Sequence, residues 1–266
     1  MGGPPVLTVE DVQLSFGGVK ALSGVSVEAA KGKITAVIGP NGAGKTSLFN
    51  VISGFYKPQN GRIVLDGEDI TLLKPHARAY RGMSRTFQNI ALFSGMTVLD
   101  NVKLGAHTRL TGGVLSAGLR LPFARREEDE LDTEIRRDLL GLLELDRVQN
   151  SHVEDLPYGL QKRVELARAL VMRPKILLLD EPVAGMNREE KREMGRFVTD
   201  VRDRLDTTVL LIEHDMGMVM GISDHVVVLS FGKPIASGTP DRIRRDPDVI
   251  KAYLGGAEDV ADDKAA

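Results

Sequence analysis

The chain has 266 residues, of which 35 are Lys or Arg and 37 are Asp or Glu, so its formal net charge is −2. This near balance excludes a global basic field that would attract nucleic acid or anionic lipid. The absence of cysteine excludes disulfides and thiolate chemistry. The N-terminal residues do not resemble a signal peptide, and no apolar run approaches the ~20 residues of a membrane span.

The first 38 residues read as β-structure. Residues 7–14 and 25–29 alternate between apolar and polar like two antiparallel strands, with turn residues at 16–18 and 31–33. Residues 33–38 form an apolar, β-rich run that predicts a buried strand.

A glycine-rich loop follows that strand and fits the pattern G-x-x-x-x-G-K-[ST]. Its residues are Gly39, Pro40, Asn41, Gly42, Ala43, Gly44, Lys45 and Thr46. The glycines allow a tight turn that points backbone N–H groups at an anion, and the following helix adds the positive end of its dipole. The loop therefore predicts a phosphate site in which Lys45 reaches the β and γ phosphates and Thr46 binds Mg²⁺.

The rest of the chain predicts an α/β protein with an insertion. A helix over residues 46–53 is closed by Gly54, and a strand spans residues 61–67. A charged run over residues 125–148 carries leucines and isoleucine at helical spacing. Two apolar strands over 175–180 and 207–213 flank a charged helix over 188–205, which is a βαβ unit.

These patterns predict one domain over residues 6–254. Its fold class is α/β, with a mostly parallel sheet covered by helices on both faces and an antiparallel β part at the N-terminus. The core takes residues 6–88 and 172–254, and residues 89–171 form an inserted helical subdomain. Residues 255–266 are small and acidic and predict a disordered tail.

Polar residues follow the buried strands at the positions where ligands collect. Asp180 and Glu181 end one strand, so Asp180 is a candidate for holding the metal and Glu181 for orienting or deprotonating water. His214 ends another strand, although a lone histidine there is more often a plain surface residue. Gln88 lies where the α/β part gives way to the helical segment and carries no signal alone.

In order and spacing, the chain resembles the ATP-binding subunits of ABC transporters over roughly residues 7–254, a P-loop NTPase fold. Residues 39–46 match the Walker A motif, Gln88 the Q-loop glutamine, and residues 177–180 with Glu181 the Walker B motif and its catalytic glutamate. Residues 183–187 resemble the D-loop, and His214 the switch histidine.

The resemblance implies an ATPase that uses ATP and Mg²⁺. Catalysis then falls to Glu181, His214, Lys45 and Gln88, and metal binding to Thr46, Gln88 and Asp180. The implied nucleotide contacts come from the Walker A residues, Ser47, Gln88 and Asp180. Phe16 takes the place of an aromatic residue that stacks on adenine, with a core phenylalanine as the alternative interpretation.

The signature motif departs from the family pattern Leu-Ser-Gly-Gly-Gln. Here it reads Leu156, Pro157, Tyr158, Gly159 and Leu160, followed by Gln161 and a helix predicted over residues 162–171. In the family this motif, like the D-loop with Asn187, faces the nucleotide of a second subunit. Pro157 removes the serine hydroxyl, and a hydrogen bond to a charged group contributes about 1.5–3 kcal/mol. This predicts weaker γ-phosphate sensing unless Tyr158 or a backbone N–H compensates. We still expect an active ATPase, with a site that binds ATP but hydrolyses it slowly as the alternative.

Several stretches resemble the LivG-type branched-chain amino acid importer ATPases: residues 85–90, 92–98, 156–161, 181–187, 214–224 and 249–255. That resemblance implies two membrane-spanning permease subunits, a sister ATP-binding subunit or a second copy of this chain, and a solute-binding protein. It places the chain at the cytoplasmic face of the inner (plasma) membrane, with no nucleic-acid partner.

Three alternatives remain at this stage. An importer ATPase for urea, amides or another small solute fits the same motifs. A non-transport ABC ATPase acting on nucleic acid or ribosomes usually has two ATPase halves or a long coiled coil. A kinase or GTPase needs an acceptor lid or an Asn-Lys-x-Asp base reader, and the latter is not found in this sequence.

Overall fold

The computed structural model describes residues 4–88, 90–108 and 129–253. Its strands, numbered in chain order, are β1 (Pro5–Phe16), β2 (Val19–Ala30), β3 (Ile34–Ile38), β4 (Asn60–Leu65), β5 (Glu68–Asp69), β6 (Met83–Arg85), β7 (Ile176–Asp180), β8 (Thr208–Ile212), β9 (His225–Ser230) and β10 (Lys233–Gly238). Its numbered α-helices are α1 (Lys45–Ile52), α2 (Pro75–Tyr80), α3 (Val98–Leu104), α4 (Tyr158–Leu170), α5 (Arg188–Leu205), α6 (Met216–Ile222) and α7 (Pro240–Arg244). Residues 129–134 and 247–253 are also α-helical.

The strands form two sheets. The first is antiparallel, with the order β2-β1-β4-β5. The second has the order β10-β9-β3-β8-β7-β6, in which β10 is antiparallel to β9 and the other neighbours are parallel. The predicted combination of an N-terminal antiparallel part and a mostly parallel sheet is confirmed.

The parallel sheet is buried on both faces because successive side chains of each strand point to opposite sides. On β3, Ile34, Ala36 and Ile38 join the apolar cluster that includes residues of α3, α4 and α5. Val37 instead joins the cluster formed with α1 and the antiparallel sheet. The two layers hold the carboxyl ends of β3, β7 and β8 at one edge of the sheet, where the candidate site lies.

A buried arginine closes the C-terminal end of α1. The guanidinium of Arg78 donates to the carbonyl oxygens of Val51 (2.8 Å) and Ile52 (2.6 Å), which have no partner within the helix. It also donates to the carbonyls of Leu73 and Thr71. Burial lowers the pKa of Arg78 to about 10, opposed by Asp69.

Two predicted helix boundaries are wrong. The helix after the signature motif begins at Tyr158, not at residue 162, because Pro157 occupies the N-cap position with an extended backbone, and proline is well suited to a helix start. In the predicted run over 125–148, residues 129–134 are α-helical and Ile135–Leu140 is a π-helix. The helical run then ends near Gly141, and Glu144 has a left-handed backbone (φ 54°).

The division of the chain into core and inserted subdomain stays a prediction. Among described residues 90–108 and 129–171, the named elements are helical. Residues 125–128 of the predicted helix and the predicted tail over 255–266 lie outside the described residues. None of the described helices combines the length and the apolar character that a membrane crossing requires.

Candidate functional site

Two glycines shape the loop between β3 and α1. Gly39 has φ 153°, and a Cβ atom there would lie 2.1 Å from the carbonyl oxygen of Leu229 on β9. Gly44 has φ 98°, and its Cβ would lie 2.6 Å from the carbonyl oxygen of Ala21 on β2. Both positions therefore need glycine for space as well as for backbone conformation. The loop packs between the two sheets and keeps its exposed part free for a ligand.

The other residues of the loop and of the start of α1 differ in exposure. Asn41, Gly42 and Thr46 are exposed, Pro40 and Ser47 are half-buried, and Ala43 is buried. The N–H of Gly232 donates to the carbonyl of Ala43 (3.0 Å), which ties the loop to the β9–β10 turn.

The ammonium group of Lys45 lies over the loop. Its Nζ donates to the carbonyl oxygens of Gly39 (2.7 Å) and Pro40 (3.0 Å). Burial lowers the pKa of Lys45, and the negative charges of Glu181 and Asp180 oppose that shift. The structure thus brings the predicted lysine and both predicted carboxylates into one electrostatic site.

Glu181 lies between two of the other predicted catalytic residues, Gln88 and His214. Its Oε2 accepts a hydrogen bond from Nε2 of Gln88 (3.0 Å), and its Oε1 lies 3.8 Å from Nδ1 of His214. The backbone of Glu181 is left-handed (φ 48°), a conformation that is strained for a residue with a Cβ. Its N–H donates to the carbonyl of Ile212 at the end of β8, which holds the side chain at the edge of the sheet.

A buried carboxylate that the sequence analysis missed organises the loops beside Glu181. Glu213 is fully buried, and its Oε1 accepts the N–H of Val183 (3.0 Å). Its Oε2 accepts the N–H groups of His214 (2.9 Å) and Asp215 (3.1 Å). One side chain therefore fixes the loop after Glu181 to the loop that carries His214. Its position before His214 is visible in the sequence, but its partners are not.

The three predicted metal ligands are hard oxygen donors of the kind that Mg²⁺ prefers. Thr46 exposes its side chain at the start of α1, and Asp180 ends β7 with 4% of its surface exposed. Gln88 donates through Nε2 to Glu181, which leaves its amide oxygen as an acceptor. These residues fit a magnesium ion that also binds nucleotide phosphates.

Phe16 is not a core residue, so the alternative interpretation of this position is wrong. Its side chain is 48% exposed at the end of β1, and its ring meets that of Tyr56 edge to face at 5.2 Å. Tyr56, which the sequence analysis missed, is 38% exposed. The pair presents an aromatic surface on which a base would have room to stack.

The signature residues lie beside the D-loop of the same chain. Tyr158 is exposed, and its ring lies 3.5 Å from the position that a Cβ on Gly185 would take. Gly159 is buried against Glu190, which would lie 2.9 Å from a Cβ there. Pro157 is exposed and Leu160 half-buried, and Nε2 of Gln161 donates to the carbonyl of Leu156 (2.8 Å).

The Asn187 side chain forms the N-cap of α5. Its Oδ1 accepts the N–H groups of Glu189 (2.9 Å) and Glu190 (3.1 Å), and Oε2 of Glu190 accepts the N–H of Asn187 (2.9 Å). This reciprocal arrangement is a capping box. A contact of Asn187 with a second subunit, which the family resemblance implies, stays a prediction.

A buried ion pair joins α4 to the segment that carries Gln88. Lys162 and Glu165 are each 3% exposed and lie 3.2 Å apart. Nζ of Lys162 donates to the carbonyl of Gln88 (3.0 Å), and Oε1 of Glu165 accepts the N–H of Phe87 (3.3 Å). Burial raises the pKa of Glu165, and Lys162 opposes that shift. Two side chains thereby connect α4, the signature helix, to the segment that carries Gln88, the Q-loop.

A groove opens on the outer side of this connection. It lies between the Q-loop, α3 and α4, and its lining includes Phe87, Phe93, Leu104 and Met172. The first three side chains are 41%, 54% and 40% exposed. We call this surface the Q-loop groove.

The comparisons with known proteins agree with this geometry. The "ABC transporter" family matches residues 22–184, and the family "Branched-chain amino acid ATP-binding cassette transporter" matches residues 233–259. Among solved structures, the chain is similar to the ADP conformation of MJ1267, described as an ATP-binding cassette of an ABC transporter. That structure is 33% identical, with a TM-score of 0.82 over 95% of this chain and 99% of the other.

Two curated relatives are each 45% identical to the chain. One is the high-affinity branched-chain amino acid transport ATP-binding protein BraF of Pseudomonas aeruginosa, matched over 95% of this chain and 99% of the relative. The other is the high-affinity branched-chain amino acid transport ATP-binding protein LivG of Escherichia coli, with the same coverage. The chain therefore belongs to the ATP-binding proteins of ABC transporters, a family of ATPases.

Proposed function

We propose that this chain hydrolyses ATP to drive the uptake of branched-chain amino acids through an ABC importer. The observation that carries the catalytic part is the position of Glu181 between Gln88 and His214, beside Lys45 and Asp180. The similarity to BraF and LivG, together with the family match over residues 233–259, supports the substrate.

Each residue of the site then has a part in hydrolysis. Lys45 exchanges the carbonyls of Gly39 and Pro40 for phosphate oxygens and offsets their negative charge. A carboxylate oxygen of Glu181 orients the attacking water and accepts its proton. His214, whose Nδ1 lies 3.8 Å from Glu181, would contact the γ-phosphate, and Gln88 would hold Glu181 in place until the nucleotide arrives.

Thr46, Asp180 and Gln88 would hold Mg²⁺, which neutralises phosphate charge when it is bound. The Walker A backbone and Ser47 would bind the phosphates, and Phe16 with Tyr56 would stack on adenine. Pro157, Tyr158, Gly159, Leu160, Gln161 and Asn187 would face the nucleotide of a second ATP-binding subunit. The N-terminal end of α4 would supply positive potential in place of the missing serine hydroxyl, and Gly159 would allow close backbone approach.

ATP-binding subunits of branched-chain amino acid transporters work with permease subunits. We place the permease contact at the Q-loop groove, since its exposed Phe87 adjoins Gln88 and its far wall is the signature helix. An apolar helix of the permease on the cytoplasmic side of the membrane suits the exposed phenylalanines. The complex would contain two permeases, a sister ATP-binding subunit or a second copy of this chain, and a solute-binding protein outside.

The test is to purify the tagged chain from membranes of its source in mild detergent and to identify its partners. The ATPase rate of that complex is then measured with the binding protein and leucine, isoleucine, valine or urea. We expect two hydrophobic subunits and stimulation by the three branched-chain amino acids. Stimulation by urea alone would show that the transported substrate is urea and not a branched-chain amino acid. Recovery of the chain with ribosomes or nucleic acid would refute a role in transport.

A further inference from the structure

Arg85 is a buried arginine in the candidate site to which the proposed mechanism gives no part. It ends β6, and its side chain is 8% exposed. Its Nη2 donates to Oδ2 of Asp180 (2.7 Å). Its Nη1 donates to Oδ1 of Asn50 on α1 (2.9 Å) and to Oγ of Ser53, the C-cap residue of that helix (2.7 Å). One guanidinium therefore connects the helix of the phosphate loop to the strand that ends in Asp180.

Aromatic rings enclose this guanidinium. Its Cζ lies 5.6 Å from the ring centroid of Phe49, 5.8 Å from that of Phe55 and 5.1 Å from that of Phe87. Such contacts stabilise a desolvated cation and restrict its orientation. The buried Nε atom has no hydrogen-bond partner among the described residues. The group is thus held by its surroundings in one orientation at some energetic cost, which indicates a role beyond filling space.

The pairing with Arg85 makes the two oxygens of the Asp180 carboxylate differ in their partners. Arg85 occupies Oδ2 in a pair whose side chains are 8% and 6% exposed, and Oδ1 remains for another partner. Mg²⁺ demands near-ideal octahedral geometry and keeps several of its waters, whereas Ca²⁺ accepts both oxygens of a carboxylate in a flexible shell. A carboxylate that offers one oxygen at a fixed angle suits the first ion better than the second.

We propose that Arg85 is a positioning residue that presents Asp180 to the metal through a single oxygen and thereby favours Mg²⁺ over Ca²⁺. This inference rests on the proposed magnesium site of an ATPase. Arg85 would act through Asp180 and would contact neither the nucleotide nor the attacking water. Its contact with Phe87 also places it in the lining of the Q-loop groove.

The test measures binding of a fluorescent ATP analogue to the full chain as Mg²⁺ or Ca²⁺ is added. In Arg85→Met we expect the half-saturating Mg²⁺ concentration to rise about tenfold, with the Ca²⁺ value unchanged or lower. Affinity for the analogue in EDTA stays within about twofold of wild type. Arg85→Lys keeps the charge but loses the fork that reaches α1 and Asp180 together, so its shift is intermediate.

Arg62→Met is the matched control, because Arg62 forms an exposed pair with Asp69 (2.9 Å) away from the site. If Arg85→Met does not fold, the double variant Asn50→Ala with Ser53→Ala removes the anchors on α1 and leaves the arginine in place. We expect an approximately threefold rise in half-saturating Mg²⁺ for that variant.

The outcomes separate this inference from the proposed function. If the affinity of the wild-type chain for the analogue does not change when Mg²⁺ is added, the magnesium site itself is refuted. In the other case, Mg²⁺ raises the affinity of the wild-type chain for the analogue, but the half-saturating Mg²⁺ and Ca²⁺ concentrations of the variants stay unchanged or move in parallel. That result would overturn only the role of Arg85.

Discussion

Glu181 combines a strained backbone with a carboxylate that accepts a hydrogen bond from Gln88 and has His214 on its other side. In Glu181→Gln the side chain keeps its size and its acceptor toward Gln88 but can no longer take a proton. We expect ATP affinity within about threefold of wild type and turnover lower by at least ~100-fold, the usual contribution of a general base. Single-turnover hydrolysis in the assembled transporter measures both quantities.

The control for that variant is Glu189→Gln, which changes an exposed carboxylate in the first turn of α5. It should hydrolyse ATP at the wild-type rate. Hydrolysis by Glu181→Gln at the rate of this control would remove Glu181 from its proposed role.

Alanine substitutions at Gly39 and Gly42 test how closely the phosphate loop packs against β9. Gly42→Ala adds a Cβ with no atom within 4 Å, so only its left-handed backbone (φ 78°) is penalised, at about 1–2 kcal/mol of unfolding free energy. Gly39→Ala also forces a Cβ to 2.1 Å from Leu229 O, which adds an overpacking cost of about 1–3 kcal/mol. Urea unfolding compares the two, and equal losses would contradict the close approach to β9.

The sequence could predict some residues of the site better than others. Lys45 and Asp180 are readable because the chemistry of phosphate binding imposes local spacing around them. Arg85 and Glu213 were missed, since their partners lie 95 and 30 residues away along the chain. Tyr56 was missed because its contact with Phe16 depends on how the antiparallel sheet folds over α1.

Helix α4 carries a buried ion pair, Lys162 with Glu165. Lys162→Met or Glu165→Leu alone leaves the other charge buried without its partner, which costs about 3–5 kcal/mol. We expect the double variant to lose much less than the sum of the two, because replacing both charges with apolar groups removes the desolvation penalty. Chemical unfolding of all four proteins measures the coupling, and additive losses would show that the pair does not act as a unit.

Element boundaries were predictable where the stop signals are local. The helix predicted over residues 188–205 is observed as Arg188–Leu205, because Asn187 caps its start and Asp206 ends it in a left-handed conformation. The start of α4 was predicted four residues late. Gly159 weakens helical propensity there, but its packing against Glu190 holds the first turn in the helix.

At the scale of the whole molecule, the Q-loop groove is the surface expected to leave water on assembly. Phe93→Glu places a charge on its exposed rim, so we expect loss of co-purification with the permeases while nucleotide binding by the isolated chain persists. Leu72→Glu changes a 71% exposed side chain that does not line this groove and serves as the control. Equal recovery of permeases with both variants would place the contact elsewhere.

The overall α/β architecture was predictable because buried parallel strands leave short continuous apolar runs and the helix between two of them leaves an amphipathic pattern. The order of the strands was not, since β9 pairs in parallel with β3 although the two strands are distant in sequence. That order also brings the β9–β10 turn against the phosphate loop through Gly232 and Ala43. Local pattern carries no information on such pairings.

Whether this chain powers an importer through Glu181 is measured by ATP-driven uptake of labelled leucine into proteoliposomes that contain the complete transporter with its binding protein. We predict uptake with the wild-type chain that requires ATP and Mg²⁺. With Glu181→Gln in this chain, sustained uptake should fall at least ~100-fold while the complex remains assembled. Leucine uptake that continues at the wild-type rate with that variant would contradict the claim that this chain powers the importer through Glu181.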